Sequence, residues 1–104
     1  MTQVTEFAHA RAGDKGNRSN ISVIAYTGSD FSILNEQLTA DRVQEELAPL
    51  IGGGVIRYDL PHLNAFNFVI DGALAGGVTT SLRMDSHGKS LSYAILAIDI
   101  STTG

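Results

Sequence analysis

The sequence predicts an α+β fold, with two helices packed on one face of a mainly antiparallel sheet. Three observations lead there. Short alternating segments at residues 21–26 and 55–60 have the period of strands. Between them Phe31, Leu34 and Leu38 recur at helical spacing. The resulting order, β-β-α-β-α-β-β, mixes the two types without the strict alternation of a doubly wound sheet. At 104 residues the chain has the material for one domain, expected to span 1–104.

The elements follow in order. Val4, Glu6 and Ala8 alternate with Thr5 and Phe7, which predicts a first strand over 4–8. Residues 12–20 hold two glycines, two asparagines and three charges, so turn chemistry predicts a loop. Ile21, Val23 and Ala25 restart the strand pattern. After the turn at 27–30, Ser29 or Asp30 is placed to cap a first helical segment. Thr39 is a second N-cap, with Leu38 and Val43 at the two positions of a hydrophobic staple. Pro49 disfavours helical geometry at Ala48, so the helix is expected to end there.

Val55 to Leu60 reads as a strand ended by Pro61. Residues 63–74 fit two periods: Phe66, Phe68 and Ile70 alternate, whereas Leu63, Phe66, Ile70 and Leu74 fall at helical spacing. The length of the run and the glycines at 76 and 77 favour the helix. A strand over 78–84, a hairpin turn over 85–89 with Gly88 available for positive φ, and a long strand over 91–100 complete the prediction. Apolar residues on both faces of that last strand suggest a central position or a face that meets a partner, hence a homo-oligomer.

Composition narrows the function. Hydrophobic residues make up 43% and charged residues 17%, against a usual charged share of about 25%. That composition excludes a disordered tail, a fibrous repeat or a coiled coil. The absence of cysteine excludes disulfide scaffolds, cysteine-ligated zinc and thiol catalysis. A net charge of −4 lacks the basic surplus of a nucleic-acid binder. No apolar run approaches the ~20 residues of a membrane span, and the first residues do not read as a signal peptide. The expected location is therefore the cytoplasm, with no nucleic-acid or membrane partner.

Candidate chemistry concentrates in the stretch from His9 to Asn20. Arg11, Lys15 and Arg18, three of the chain's seven basic residues, lie there with Gly13 and Gly16. Glycines let backbone N–H groups approach a ligand, and gathered cations reverse the field of an acidic protein locally. An anion site is the functional reading; a solvated connection held by Asp14 and Lys15 is the alternative. At least one of Gly13 and Gly16 is expected at positive φ. The stretch matches neither a Walker A loop nor a dinucleotide fingerprint, so no cofactor is implied.

Asn64 and Asn67 would share a face on a helix over 63–74, able to orient a ligand or merely to cap. Arg83, Asp85, His87 and Lys89 form a third group, most simply the polar tip of a hairpin. His9, His62 and His87 are scattered without a carboxylate pair, so no metal site is expected. No serine sits in a nucleophile elbow.

Four blocks in order carry a family resemblance: residues 10–25 with Ala10-Arg11-Ala12-Gly13-Asp14-Lys15-Gly16-Asn17, then 58–69, 73–78 and 81–91. Together they resemble the C-terminal domain of acyclic terpene utilisation protein A (AtuA) over about residues 7–100. The resemblance implies a ferredoxin-like fold and a setting in the breakdown of branched or terpenoid acids as acyl-CoA thioesters. The resemblance implies that full-length members carry a large N-terminal α/β domain, so either a separate large AtuA-like polypeptide is a partner or this protein works alone. Ala12 stands where the family pattern has serine, which removes a hydroxyl at that position.

Three functions follow. The first is a small subunit or binding module that holds an anionic acyl-CoA-type ligand or carboxylate, or the large partner, through Arg11, Gly13, Asp14, Lys15, Gly16, Asn17, Asn20 and Asn67. The second is a small hydratase or hydrolase in which Arg11 or Lys15 holds the anion and Asp14 or His87 moves the proton. The third is a purely structural homo-oligomer.

Overall fold

The computed structural model describes residues 2–15, 18–48, 51–71 and 87–101. Among these residues the centre is a four-stranded, fully antiparallel sheet in the order β2-β3-β5-β4. The strands are β2 (Ala8–Lys15), β3 (Arg18–Ala25), β4 (Val55–Leu60) and β5 (Ala65–Asp71). A short antiparallel pair, β1 (Thr2–Gln3) with β6 (Asp99–Ile100), joins the two ends of the chain. The helices are α1 (Gly28–Gln37), α2 (Ala40–Leu47) and α3 (His87–Leu96).

One face of the sheet is apolar and carries the helices. Ile21, Val23 and Ala25 of β3 alternate with exposed or partly buried neighbours. Phe66, Phe68 and Ile70 do the same on β5. The register sets Val23 opposite Phe66 and Ile21 opposite Phe68, so these side chains form one continuous surface. Helix α1 packs on β3, α2 on β4, and α3 on β2 and β3. Phe31 of α1 stacks on Phe66 with ring centroids 4.7 Å apart. Leu34, Leu38, Val43, Leu47, Leu91 and Ile95 close the core from the helix side.

Local chemistry explains the helix ends. Thr27, not Ser29 or Asp30, caps α1: its hydroxyl accepts from the Asp30 N–H at 3.1 Å. Thr39 caps α2 as expected, accepting from Arg42 N–H at 3.1 Å. Leu38 and Val43 are both buried, as a staple requires. Helix α2 stops at Leu47, just ahead of Pro49.

Several sequence-based boundaries are overturned. Residues 4–6 form a 3₁₀ turn, and the strand begins only at Ala8. The expected loop over 12–20 is largely two paired strands, because Lys15 already pairs with Arg18. The favoured helix over 63–74 is instead a 3₁₀ turn, Pro61–Leu63, followed by β5. The two-residue period won there because β5 lies between β3 and β4, where both its edges find backbone partners. The long strand over 91–100 is mostly α3, which buries Leu91 and Ile95 one helical turn apart. Such a stripe looks apolar on both faces when read with period two. That removes the basis on which an oligomer was expected. Residues 87–89 of the expected hairpin, Gly88 included, belong to α3. The strand expected over 78–84 lies outside the described residues.

Candidate functional site

The second face of the sheet carries the polar residues. Alternation turns Arg11 and Gly13 of β2 away from the helices, with Asn20 and Ser22 of β3 and Asn67 of β5. Register aligns them in rows. Arg11 stands opposite Ser22, Ser22 opposite Asn67, and Asn67 opposite Tyr58 of β4. One row thus crosses all four strands, from a cation at the β2 edge to an exposed aromatic ring at the β4 edge. In the next row Gly13 faces Asn20, and Asn20 faces Val69.

An open cavity of about 460 Å³ lies on this face. Arg11, Ala12 and Gly13 line it from β2, Arg18, Asn20 and Ser22 from β3, and Asn67 from β5. This volume is within the usual range for small-molecule sites, about 300–1,000 Å³. The described wall contributes two guanidinium groups, one hydroxyl and two carboxamides.

The two cations differ in availability. Arg18 Nε donates to Asp71 Oδ1 at 2.8 Å, across the β3–β5 register. Both side chains are about half exposed or more, so this pair is weak and mainly steers Arg18 toward β5. Arg11 is exposed and enters no ion pair among the described residues. A third arginine, Arg57, faces the opposite side and serves structure, as its bonds to α1 indicate.

Gly13 does not provide positive φ; it lies in extended strand, and a Cβ placed on it meets no described atom within 4 Å. Its contribution is open space beside Arg11. Asn67 Oδ1 is shut from water and has no hydrogen-bond partner among the described residues.

The eight residues singled out from the sequence divide in three. Arg11, Gly13, Asn20 and Asn67 line one cavity. Asp14 and Lys15 end β2, with only their backbone described. Gly16 and Asn17 lie outside the described residues, so the expectation of positive φ survives for Gly16 alone. Asn64 does not join Asn67. It sits in the left-handed region, φ 54°, after the 3₁₀ turn, where its carbonyl accepts from Ala25 N–H. With Asn64 in the turn and Asn67 inside β5, the two asparagines do not share a helix face. Sequence reasoning passed over Ala12 and Ser22 as wall residues. Ser22 was legible once 18–25 was read as one strand, because it alternates with Ile21 and Val23.

A family model described as the AtuA ferredoxin-like domain matches residues 2–101. The chain belongs to the AtuA ferredoxin-like domain family. Comparison with curated proteins and with solved structures returns no match. The AtuA ferredoxin-like assignment agrees with the antiparallel sheet and its helices on one side. Among the described residues of this AtuA-like domain, no three His, Asp or Glu converge as a metal site would require, and no helix is long and apolar enough to cross a membrane.

Proposed function

We propose that this AtuA-like domain is a binding module whose open sheet face takes an anionic acyl-type ligand, with the anionic group beside Arg11. The observation that carries this reading is the cavity itself. It gathers Arg11 with hydrogen-bonding groups from three strands of a chain whose net charge is −4. An anion approaching an acidic protein needs such a local reversal of field. A guanidinium can hold a carboxylate or phosphate through two parallel hydrogen bonds.

The rest of the face suits an acyl chain. Ile56 and Tyr58 on β4 are about half exposed, and they adjoin Val69 and Asn67 in register. A ligand anchored at Arg11 can run across the strands toward this apolar edge. The family setting adds an acyl-CoA or free acid of branched or terpenoid type as the expected ligand. A large AtuA-like partner seated over the same face would close the cleft.

Calorimetric titration of the chain with acyl-CoAs and the matching free acids tests the reading. Arg11→Ala should weaken binding at least tenfold, whereas Asp71→Ala should leave it within about threefold. Undiminished binding by Arg11→Ala rejects the site. Binding that Arg18→Ala abolishes and Arg11→Ala spares would move the anion to Arg18.

A further inference from the structure

Asparagine is an uncommon choice for the middle of a strand. Asn67 occupies the middle of β5, the inner strand between β3 and β4. Its Oδ1 is out of reach of water and accepts no hydrogen bond from the described residues. Two hydroxyl-bearing residues, Ser22 and Tyr58, flank it in register, yet neither satisfies that oxygen. Leaving a buried acceptor unmade costs stability, and a valine or threonine would fit the strand better. The same side chain lines the cavity.

From this we infer that Asn67 is the specificity residue of the cleft, selecting acids that carry a hydroxyl or amide group on the chain. The inference rests on the anion-site reading above and adds the second half of the ligand. A turn about the Asn67 Cβ–Cγ bond would exchange the two ends of the carboxamide and present Oδ1 to the cavity. A ligand hydroxyl, both donor and acceptor, satisfies whichever end it meets, and an amide group does the same. Strands β2 and β5 are two spacings apart, about 10 Å. The Arg11 side chain spans part of that distance, so the hydroxyl or amide sits a few bonds from the carboxylate. An unsubstituted acid would displace water from the cavity end of the carboxamide without replacing its hydrogen bond, and so lose this contribution. A site built to bond a polar group discriminates strongly against an analogue that lacks it.

The experiment compares matched acids on the full chain by amide chemical-shift titration, which also reads folding. The probes are butanoate, 3-hydroxybutanoate, 4-hydroxybutanoate and N-acetyl-β-alanine. The wild type should bind at least one substituted acid five- to tenfold more tightly than butanoate. Asn67→Val should lose the preference, binding no substituted acid more than twofold more tightly than butanoate. Its melting temperature should equal or exceed that of the wild type. Asn67→Thr, which keeps a hydroxyl, should restore part of the preference. Equal binding of all four acids by the wild type overturns the role of Asn67 while Arg11-dependent binding of butanoate keeps the anion site. A preference retained in Asn67→Val, or a marked fall in its melting temperature, also overturns it. If the wild type binds none of the acids, the anion site and this inference fall together.

Discussion

Arg57→Met removes one guanidinium that joins three elements. Nη1 of Arg57 donates to the Asn35 carbonyl at 3.2 Å and the Leu38 carbonyl at 3.0 Å. Both carbonyls belong to the C-terminal end of α1, where no intrahelical partner remains. Nη2 donates to Asn35 Oδ1 at 2.9 Å, and Nε lies 2.8 Å from Asp59 Oδ1. The guanidinium also rests over Phe66, 4.8 Å from the ring centroid. With its side chain only 16% exposed, Arg57 is better shielded than the other paired arginines. Hydrogen bonds to a charged donor contribute about 1.5–3 kcal/mol each when buried. Carbonyls at a helix end regain water when the donor leaves, so about 1 kcal/mol apiece is the better figure. The Asp59 pair, half exposed on the acid side, adds up to about 1 kcal/mol. The ring contact adds about 1 kcal/mol. Methionine keeps much of the packing, so the net loss is about 2–4 kcal/mol. At this chain length that lowers the melting temperature by roughly 8–16 °C. Urea and thermal unfolding followed by circular dichroism measure it, with Arg57→Lys as an intermediate that keeps charge but not the fork. A loss below about 1 kcal/mol for Arg57→Met would refute the view that this residue fastens α1 to the sheet.

Two glycines give opposite expectations. Gly13→Leu should leave stability within about 0.5 kcal/mol of wild type, because its Cβ meets no described atom within 4 Å and the strand is exposed there. It should weaken the ligand found by titration at least tenfold; unchanged affinity would say that the ligand binds elsewhere. Gly53→Ala should cost about 1–3 kcal/mol, since its Cβ would lie 2.5 Å from the Asp71 carbonyl oxygen and a main-chain atom cannot swing aside. Unfolding measurements giving no loss would mean that the turn before β4 relaxes freely.

Some of this protein was determined by its sequence alone, because the signals are local. Thr39, the Leu38–Val43 staple and Pro49 bound α2 within the chain's nearest neighbours. Val55 to Leu60 is a strand as its pattern implied. The four blocks that carry the family resemblance are likewise properties of the sequence. Arg11, Gly13, Asn20 and Asn67 were legible as polar oddities in a lightly charged chain.

What joins them was decided only by the tertiary structure. Whether residues 65–71 form helix or strand depended on backbone partners supplied by β3 and β4, because their apolar residues fit both periods. Conversely, residues 91–96 needed a sheet surface to bury Leu91 and Ile95 along one side. The polar stretch around Gly13 resembled a loop because composition carries no information about which face of a strand will be covered. Helices cover one face of this sheet, so arginine and asparagine can alternate with apolar residues along β2, β3 and β5 on the other. Register then sets Arg11, Ser22 and Asn67 side by side, although 56 positions separate the first from the last. That adjacency comes from long-range hydrogen bonding between strands, which no local pattern encodes.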